Sequence, residues 1–145
     1  MSNKLQADKM RKLVALGRKE LGYIYDGDGD CGHPAGDKKA WLNTGKAFLR
    51  ALAKDLGFEE SKVWANPGGI AVAGESTLMG MWGPGNGMYI SVVQPMCGCG
   101  IVLYRSISNM KGYSGGSNNW ISSRDFSSGD YEGFVGQLMR LDRAA

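Results

Sequence analysis

The stretch GMYISVVQPMCGCGIVLYRSIS, residues 87–108, contains two runs rich in β-branched and aromatic residues, and a segment of Pro, Gly and Cys separates them. Two similar runs precede it, KVWAN at 62–66 and IAVAGESTLM at 70–79, which are followed by PGG and GPGNG. Short runs of this composition between turn residues are typical of β-strands joined by hairpins. The sequence therefore predicts a four-stranded antiparallel meander, with Asn86-Gly87 supplying the positive φ angles of one turn.

On both sides of this sheet the apolar residues recur with the period of an amphipathic helix. The sequence predicts helices over 4–22, 38–56 and 129–143. Their apolar faces hold Met10, Leu13, Val14, Gly17, Leu21 and Ile24 in the first, Trp41, Phe48, Leu49, Leu52 and Leu56 in the second, and Tyr131, Phe134, Val135 and Leu138 in the third. The order ααββββα indicates an α+β fold in which helices cover one face of the sheet.

The length and composition indicate one domain. The 145 residues suffice for one hydrophobic core, and they divide into two basic helices (1–57), the sheet (62–108), a Gly-rich loop (109–128) and a C-terminal helix (129–143). No apolar run reaches the roughly 18 residues of a membrane span, and MSNKLQADKMRK is too charged for a signal-peptide core. We therefore expect a cytoplasmic protein, without a membrane partner, whose three cysteines are reduced thiols.

Positive charge is concentrated at the N-terminus. Residues 1–20 hold six Lys and Arg against two Asp and Glu, although the whole chain has a net charge of +3. A phosphate backbone would be attracted to Lys4, Arg11, Lys12, Arg18 and Lys19. The alternative is an ordinary solvated helix face. The exposed side of the second predicted helix is also basic, with Lys39, Lys46, Arg50 and Lys54.

The loop KGYSGGSNNW, residues 111–120, is a second candidate for contact with a partner. Its glycines make the backbone adaptable, and its side chains include a cation, two aromatic rings and two amides. The candidate residues are Lys111, Tyr113, Asn118, Asn119 and Trp120. The alternative is a long polar turn whose aromatic rings fold back onto the core.

The segment YDGDGDCGHPAGD, residues 25–37, is a candidate metal site. Asp26, Asp28, Asp30 and Asp37 fall at positions 1, 3, 5 and 12 of an EF-hand loop, but Cys31 replaces the glycine of position 6, so the calcium site is disfavoured. A looser cation site and a plain connector between two helices stay as alternatives.

Zinc is the stronger metal hypothesis. The chain has three Cys and one His, and they form two closely spaced pairs, Cys31-x-His33 and Cys97-x-Cys99. Four such ligands close a tetrahedral structural site, although the usual spacing is wider. The alternative is buried thiols and a surface histidine.

Catalytic motifs are absent from the sequence. His33 is the one imidazole in the chain, and no serine lies in a G-x-S-x-G elbow. Neither H-E-x-x-H nor the paired motifs of zinc deaminases occurs. We therefore expect a binding protein more than an enzyme.

Four segments of the second half, GGIAVAGESTLMG, GMYISV, IVLYRSIS and KGYSGGSNNW, resemble small uncharacterised single-domain proteins of bacteriophages and plasmids. The resemblance covers residues 64–122, and it implies an accessory protein of a mobile element that binds host machinery. The first hypothesis is accordingly a factor that engages a host protein or nucleoprotein complex, in its most specific form a counter-defence inhibitor such as an anti-CRISPR protein. The alternatives are a zinc-binding structural or hydrolytic protein and a non-specific nucleic-acid-binding protein.

Overall fold

The structure is a computed structural model that describes residues 2–18, 35–68, 73–95, 100–111 and 116–141. Within these ranges four helices and five strands follow in the order ααβββββαα. The helices are α1 (Ser2–Gly17), α2 (Ala35–Leu56), α3 (Ser123–Ser127) and α4 (Tyr131–Met139). The strands are β1 (Glu60–Asn66), β2 (Glu75–Gly83), β3 (Asn86–Val92), β4 (Gly100–Ile107) and β5 (Asn119–Ser122).

The strands form one antiparallel sheet whose spatial order is the order of the sequence, from β1 to β5. Val63 pairs with Leu78, Leu78 pairs with Ile90, and Ile90 pairs with Tyr104. Residues that pair directly across neighbouring strands have their side chains on the same face of the sheet, so all four lie on one face. They pack in one hydrophobic cluster with residues of the helices. The core therefore lies between this face and the helical layer.

Helices α1 and α2 run antiparallel. The Gln6 side chain, near the start of α1, donates a hydrogen bond from Nε2 to the carbonyl of Phe48 over 2.9 Å. At the other end of α1, Gly17 lies against the Trp41 ring, near the start of α2. The two helices thus form a hairpin-like layer over the sheet.

None of the described helices is long and apolar enough to cross a membrane.

The aromatic ring of Phe48 joins α2 to the two C-terminal helices. Its centroid lies 5.4 Å from that of Phe126 in α3, and 5.9 Å and 5.7 Å from those of Tyr131 and Phe134 in α4. Edge-to-face and tilted pairs at these distances add to the burial energy of the rings. The apolar positions predicted for the third helix therefore face the core, and Leu138 is also buried.

The turn between β2 and β3 differs from the prediction. Gly83 pairs with Asn86, so Pro84 and Gly85 form the two-residue turn, and Gly85 has a φ of 75°. Proline presets the φ angle of the first turn position, and glycine accepts the positive φ of the second. The prediction that Asn86-Gly87 forms this turn is wrong, because both residues are already paired in β3.

The predicted α+β class is confirmed, with N-terminal helices, an antiparallel meander and a C-terminal helix. The sheet has one strand more than predicted, because β5 and α3 lie within residues 109–128, where we expected a loop. Strand β2 covers residues 75–83 instead of 70–79. Ser122 caps α3 by accepting a hydrogen bond from the Asp125 amide, and Asp130 caps α4 in the same way. Elements as short as β5 and α3 show too few residues for a periodic pattern.

Candidate binding surfaces

The exposed side of α1 and α2 holds most of the positive charge of the protein. Residues 2–18 and 35–56 contain ten Lys and Arg against three Asp and Glu, a net charge of +7 in a chain of net charge +3. The rest of the chain is therefore net acidic. Six of these cations are exposed and a seventh is half-buried, and we call this set the basic helical face: Lys4, Lys12, Arg18, Lys39, Lys46, Arg50 and Lys54.

The seven cations of the basic helical face form no ion pair or hydrogen bond through their side chains with the residues that the structure describes. Two of the three nearby carboxylates are already engaged, since Asp8 pairs with Arg11 over 3.5 Å and Asp55 accepts a hydrogen bond from Tyr131. Unpaired cations on adjacent helices add their potentials, which attracts anions to the surface. This surface is thus suited to an extended polyanion.

Spacing along α2 makes the basic helical face elongated. Lys39, Lys46, Arg50 and Lys54 recur on one side of the helix. At a rise of about 1.5 Å per residue they span about 22 Å. Lys4 and Arg18 lie at the two ends of α1 and span a similar length. Because packed helix axes lie about 8–10 Å apart, the two helices present their cations side by side.

Arg11 has a different role from its neighbours. Besides its pair with Asp8, its Nη2 donates a hydrogen bond to the carbonyl of Ser128 over 3.2 Å, and its guanidinium lies against Gly129. These contacts fix α1 to the connection between α3 and α4. Of the predicted binding residues in α1, we therefore retain Lys4, Lys12 and Arg18 for the candidate surface and assign Arg11 to the packing of the fold.

A second surface lies on the side of the sheet that faces away from the helices. We call it the outer sheet face, and it includes Lys62, Trp64, Tyr89, Arg105 and Trp120, with the fully buried Met79 beneath them. Met79 and Tyr89 pack there with Trp64 in a small cluster that contains no residue of a described helix. Two cations lie over its rings, with Lys62 Nζ 5.1 Å from the centroid of Trp64 and Arg105 Cζ 4.8 Å from that of Tyr89. The surface thus combines aromatic rings with positive charge.

Arg105, Asn118 and Trp120 form a group at the β5 edge of the outer sheet face. Nη1 of Arg105 donates to Oδ1 of Asn118 over 3.1 Å. Nε of Arg105 is buried and has no hydrogen-bond partner among the described residues. Trp120 is 51% exposed although it belongs to a strand. The group therefore presents an indole ring, a fixed side-chain amide and a guanidinium together.

No protein-family model, no curated protein and no solved structure matches the chain. The two surfaces are accordingly defined by the geometry and charge of this chain alone.

The residues predicted in the 111–120 segment divide among several roles. Asn118 and Trp120 meet on the outer sheet face, whereas Asn119 turns away and donates from Nδ2 to the carbonyl of Ser117 over 2.9 Å. Lys111 is exposed and lines a separate groove. Tyr113, like Lys19 of the N-terminal set, lies outside the described residues. The loop residues and the cations of α1 therefore do not form one surface, because the sheet separates them.

Sequence reasoning missed Lys62, Trp64 and Arg105. The sequence signal that could have identified them is the alternation of side chains along a strand, because Lys62 and Trp64 are two residues apart on β1. Arg105 pairs with Tyr89 across β3 and β4. Alternation places such pairs on one face. The alternation was visible in the sequence, but which face the helices cover was not.

The predicted metal ligands lie largely outside the described residues. This holds for Cys31, His33, Cys97 and Cys99, and also for Asp26, Asp28 and Asp30. Asp37 lies in the first turn of α2. Among the residues that the structure does describe, no group of three or more His, Cys, Asp or Glu is placed to hold a metal ion. The zinc hypothesis therefore stays a prediction from the sequence.

The described residues also form open cavities, one of which adjoins the outer sheet face. A groove of about 570 Å³ at the β2–β3 turn is lined by Glu59, Glu60, Met81, Met110 and Lys111, among others. A cleft of about 510 Å³ lies beside α3 and α4. In that cleft the polar groups serve the fold, since Ser128 Oγ donates to the Asp125 carbonyl over 2.7 Å and Asp130 caps α4. Neither feature forms a nucleophile and base pair within the described residues.

Proposed function

We propose that the protein acts by binding, and that its basic helical face engages the nucleic acid of a host nucleoprotein complex. The observation that carries the proposal is the set of seven cations without a partner in the described structure, within residues 2–18 and 35–56, whose charges sum to +7. Lysine and arginine that neutralise backbone phosphates release the counterions condensed there, and this release drives binding.

The elongated shape of the face supports a polymer as the partner over a single small anion. Cations spread over about 20 Å meet several consecutive phosphates, because duplex DNA carries one charge per about 1.7 Å of its axis. The basic helical face consists of lysine and arginine side chains, whose contacts with phosphates carry no sequence information. We therefore expect binding that depends weakly on nucleotide sequence.

The resemblance of residues 64–122 to phage and plasmid proteins supports a partner in the cytoplasm of a bacterial host. In its most specific form, our proposal is a counter-defence protein that binds a CRISPR effector complex where nucleic acid enters it. A phage plating assay on a host with a matching CRISPR spacer tests this form. Expression of the chain restores plaque formation there, and the absence of any restoration for every effector type tried argues against it.

Fluorescence anisotropy with a labelled 20-base-pair duplex tests the proposed surface. The test variant carries Arg18→Glu, Arg50→Glu and Lys54→Glu. The matched control carries Lys111→Glu, Arg124→Glu and Arg140→Glu, which are exposed cations elsewhere on the protein and produce the same change in net charge. We expect the test variant to lose most of the affinity and the control to keep most of it. Because each phosphate contact contributes about 0.9 to the salt slope, the test variant also lowers that slope by about 3.

Equal losses in the two triple variants would show that net charge, not this face, governs binding. Failure of the wild-type protein to bind duplex or single-stranded nucleic acid at low salt would overturn the proposal altogether. Circular dichroism and thermal unfolding of both variants confirm that they fold.

A further inference from the structure

The Trp120 ring packs against Gly100 of β4. A Cβ added to Gly100 would lie 2.7 Å from Cε3 of the Trp120 ring, so only glycine lets the indole approach the backbone of β4 so closely. The ring is thus supported from the sheet side while 51% of the residue remains exposed. A large apolar ring held at the edge of a sheet in this way is a surface on which another flat ring stacks.

Asn118 and Arg105 complete the surroundings of the ring. Asn118 lies two residues before Trp120, and its Oδ1 is fixed by the guanidinium of Arg105 at 3.1 Å. Asn118 is exposed, and its amide nitrogen makes no hydrogen bond with the described residues. The guanidinium of Arg105 has further N–H groups on Nη1 and Nη2, whereas its Nε is buried and has no hydrogen-bond partner among the described residues. An aromatic platform, an amide donor and a cation thus lie together.

We infer that Trp120, Asn118 and Arg105 form a nucleobase-binding site for single-stranded nucleic acid on the outer sheet face. The base stacks on the indole, the Asn118 amide donates to an acceptor on the edge of the base, and Arg105 attracts the adjacent phosphate. Single strands are the expected ligand because their bases are unstacked and accessible, whereas a duplex hides the base faces. This surface is distinct from the basic helical face, which lies on the other side of the sheet.

The register of the sheet places a second tryptophan at the opposite edge of the outer sheet face. Trp64, Thr77, Ser91, Leu103 and Trp120 form one row from β1 to β5. Four inter-strand spacings of about 4.8 Å place the two tryptophans about 19 Å apart. Lys62 lies over the Trp64 ring, and Arg105 lies between the two edges. Thr77 and Ser91, in the middle of this row, are 1% and 0% exposed, so the nucleobase site is confined to the β5 edge of the outer sheet face.

The test measures binding of a fluorescein-labelled 12-nucleotide oligo(dT) by anisotropy, with a duplex of the same length as competitor. Trp120→Ala removes the platform, and we expect the affinity for oligo(dT) to fall by about 5- to 150-fold, the usual effect of losing one stacked base. Trp120→Phe keeps a ring and restores most of the affinity. The matched control is Met139→Ala, which removes another exposed apolar side chain, 42% exposed, on α4.

A second readout separates stacking from a general loss of structure. Base stacking quenches indole fluorescence, so oligo(dT) quenches the wild-type protein more than the Trp120→Phe variant. Asn118→Ala weakens binding and leaves duplex binding unchanged. Unchanged oligo(dT) affinity in folded Trp120→Ala, or an equal loss in Met139→Ala, would overturn the inference.

The outcome for this site is independent of the basic helical face. The variant with Arg18, Arg50 and Lys54 changed to Glu retains Trp120, so oligo(dT) still quenches its fluorescence even where duplex binding is lost. Conversely, Trp120→Ala retains duplex binding. Loss of both activities in each variant would contradict the presence of two separate surfaces.

Discussion

The guanidinium of Arg11 lies directly against Gly129, the residue that precedes the N-cap of α4. A Cβ at Gly129 would lie 2.5 Å from Nη2 of Arg11, and the same Nη2 donates to the carbonyl of Ser128 over 3.2 Å. This contact joins residues that are far apart in the sequence and attaches α1 to the C-terminal helices. The Arg11 guanidinium therefore makes contacts that hold the fold together, although the residue is exposed.

Arg11→Glu and Arg18→Glu are expected to affect different properties, stability in the first case and nucleic-acid binding in the second. Arg11→Glu removes the hydrogen bond to Ser128 and places two acidic residues on one side of α1, so we expect a loss of about 1 kcal/mol of stability and a decrease in melting temperature of about 2–4 °C. Arg18→Glu breaks no described side-chain contact, so it should lower the melting temperature less than Arg11→Glu does, and it should weaken nucleic-acid binding. Thermal unfolding and anisotropy of the two single variants check this. Equal melting temperatures would contradict the structural role of Arg11.

Gly129→Ala should be more destabilising than Gly85→Ala, although the two glycines have nearly the same backbone conformation. Their φ angles are 73° and 75°, so an alanine is strained at both positions by about 1 kcal/mol or more. A Cβ at Gly85 meets no atom within 4 Å, whereas a Cβ at Gly129 displaces Arg11. Chemical unfolding of both variants measures the difference between their free energies of unfolding, which reports the packing of Arg11 against Gly129. The difference should disappear in an Arg11→Ala background, where the displaced side chain is gone.

The order of the main elements could be predicted because their patterns are long. The helices of residues 2–17 and 35–56 and the strands β3 and β4 each show several repeats of their period. Strand β5 could not be predicted, because four residues between polar segments give no repeat and its place depends on pairing with β4. The β2–β3 turn was misplaced because two adjacent segments, Pro84-Gly85 and Asn86-Gly87, both carry turn residues.

The candidate surfaces could be predicted only in part, because a local pattern indicates the exposed cations of a helix but not contacts between distant residues. Exposed cations on a helix follow from its periodicity, so Lys4, Lys12 and Arg18 were identified. The sequence could not separate Arg11 from them, because its partner lies more than a hundred residues away. Arg105 was missed because its proximity to Asn118 and Trp120 requires the pairing of β4 with a strand that was expected to be a loop.

The zinc hypothesis predicts a metal content. If Cys31, His33, Cys97 and Cys99 close one tetrahedral site, protein purified without chelator contains about one equivalent of zinc. Elemental analysis measures it, and EDTA lowers the melting temperature because the metal stabilises only the folded chain. Cys97→Ser serves as the variant that removes one ligand. Less than about half an equivalent in the wild type, or a melting temperature insensitive to EDTA, would contradict the hypothesis.

Tyr131 makes the stability of the fold sensitive to alkaline pH. Its hydroxyl donates to Oδ2 of Asp55 over 2.6 Å, and the residue is buried. Burial, and next the hydrogen bond to the Asp55 carboxylate, raise the pKa of Tyr131 above its ordinary value of 10.0. The folded state therefore holds this proton more tightly than the unfolded state. Its contribution is fully present below pH 10 and is lost as the pH rises above that value.

Tyr131→Phe consequently has two expected effects. Near pH 7 it removes one hydrogen bond and lowers the free energy of unfolding by about 0.5–1.5 kcal/mol. Above pH 10 the wild type loses stability more steeply than the variant, because only the wild type has this hydroxyl to deprotonate on unfolding. Urea unfolding at a series of pH values measures both effects. Asp55→Asn keeps an acceptor for the hydroxyl but removes the charge, so its alkaline slope stays close to that of the wild type, since burial is the larger cause. Parallel alkaline slopes for the wild type and Tyr131→Phe would show that Tyr131 ionises equally in both states.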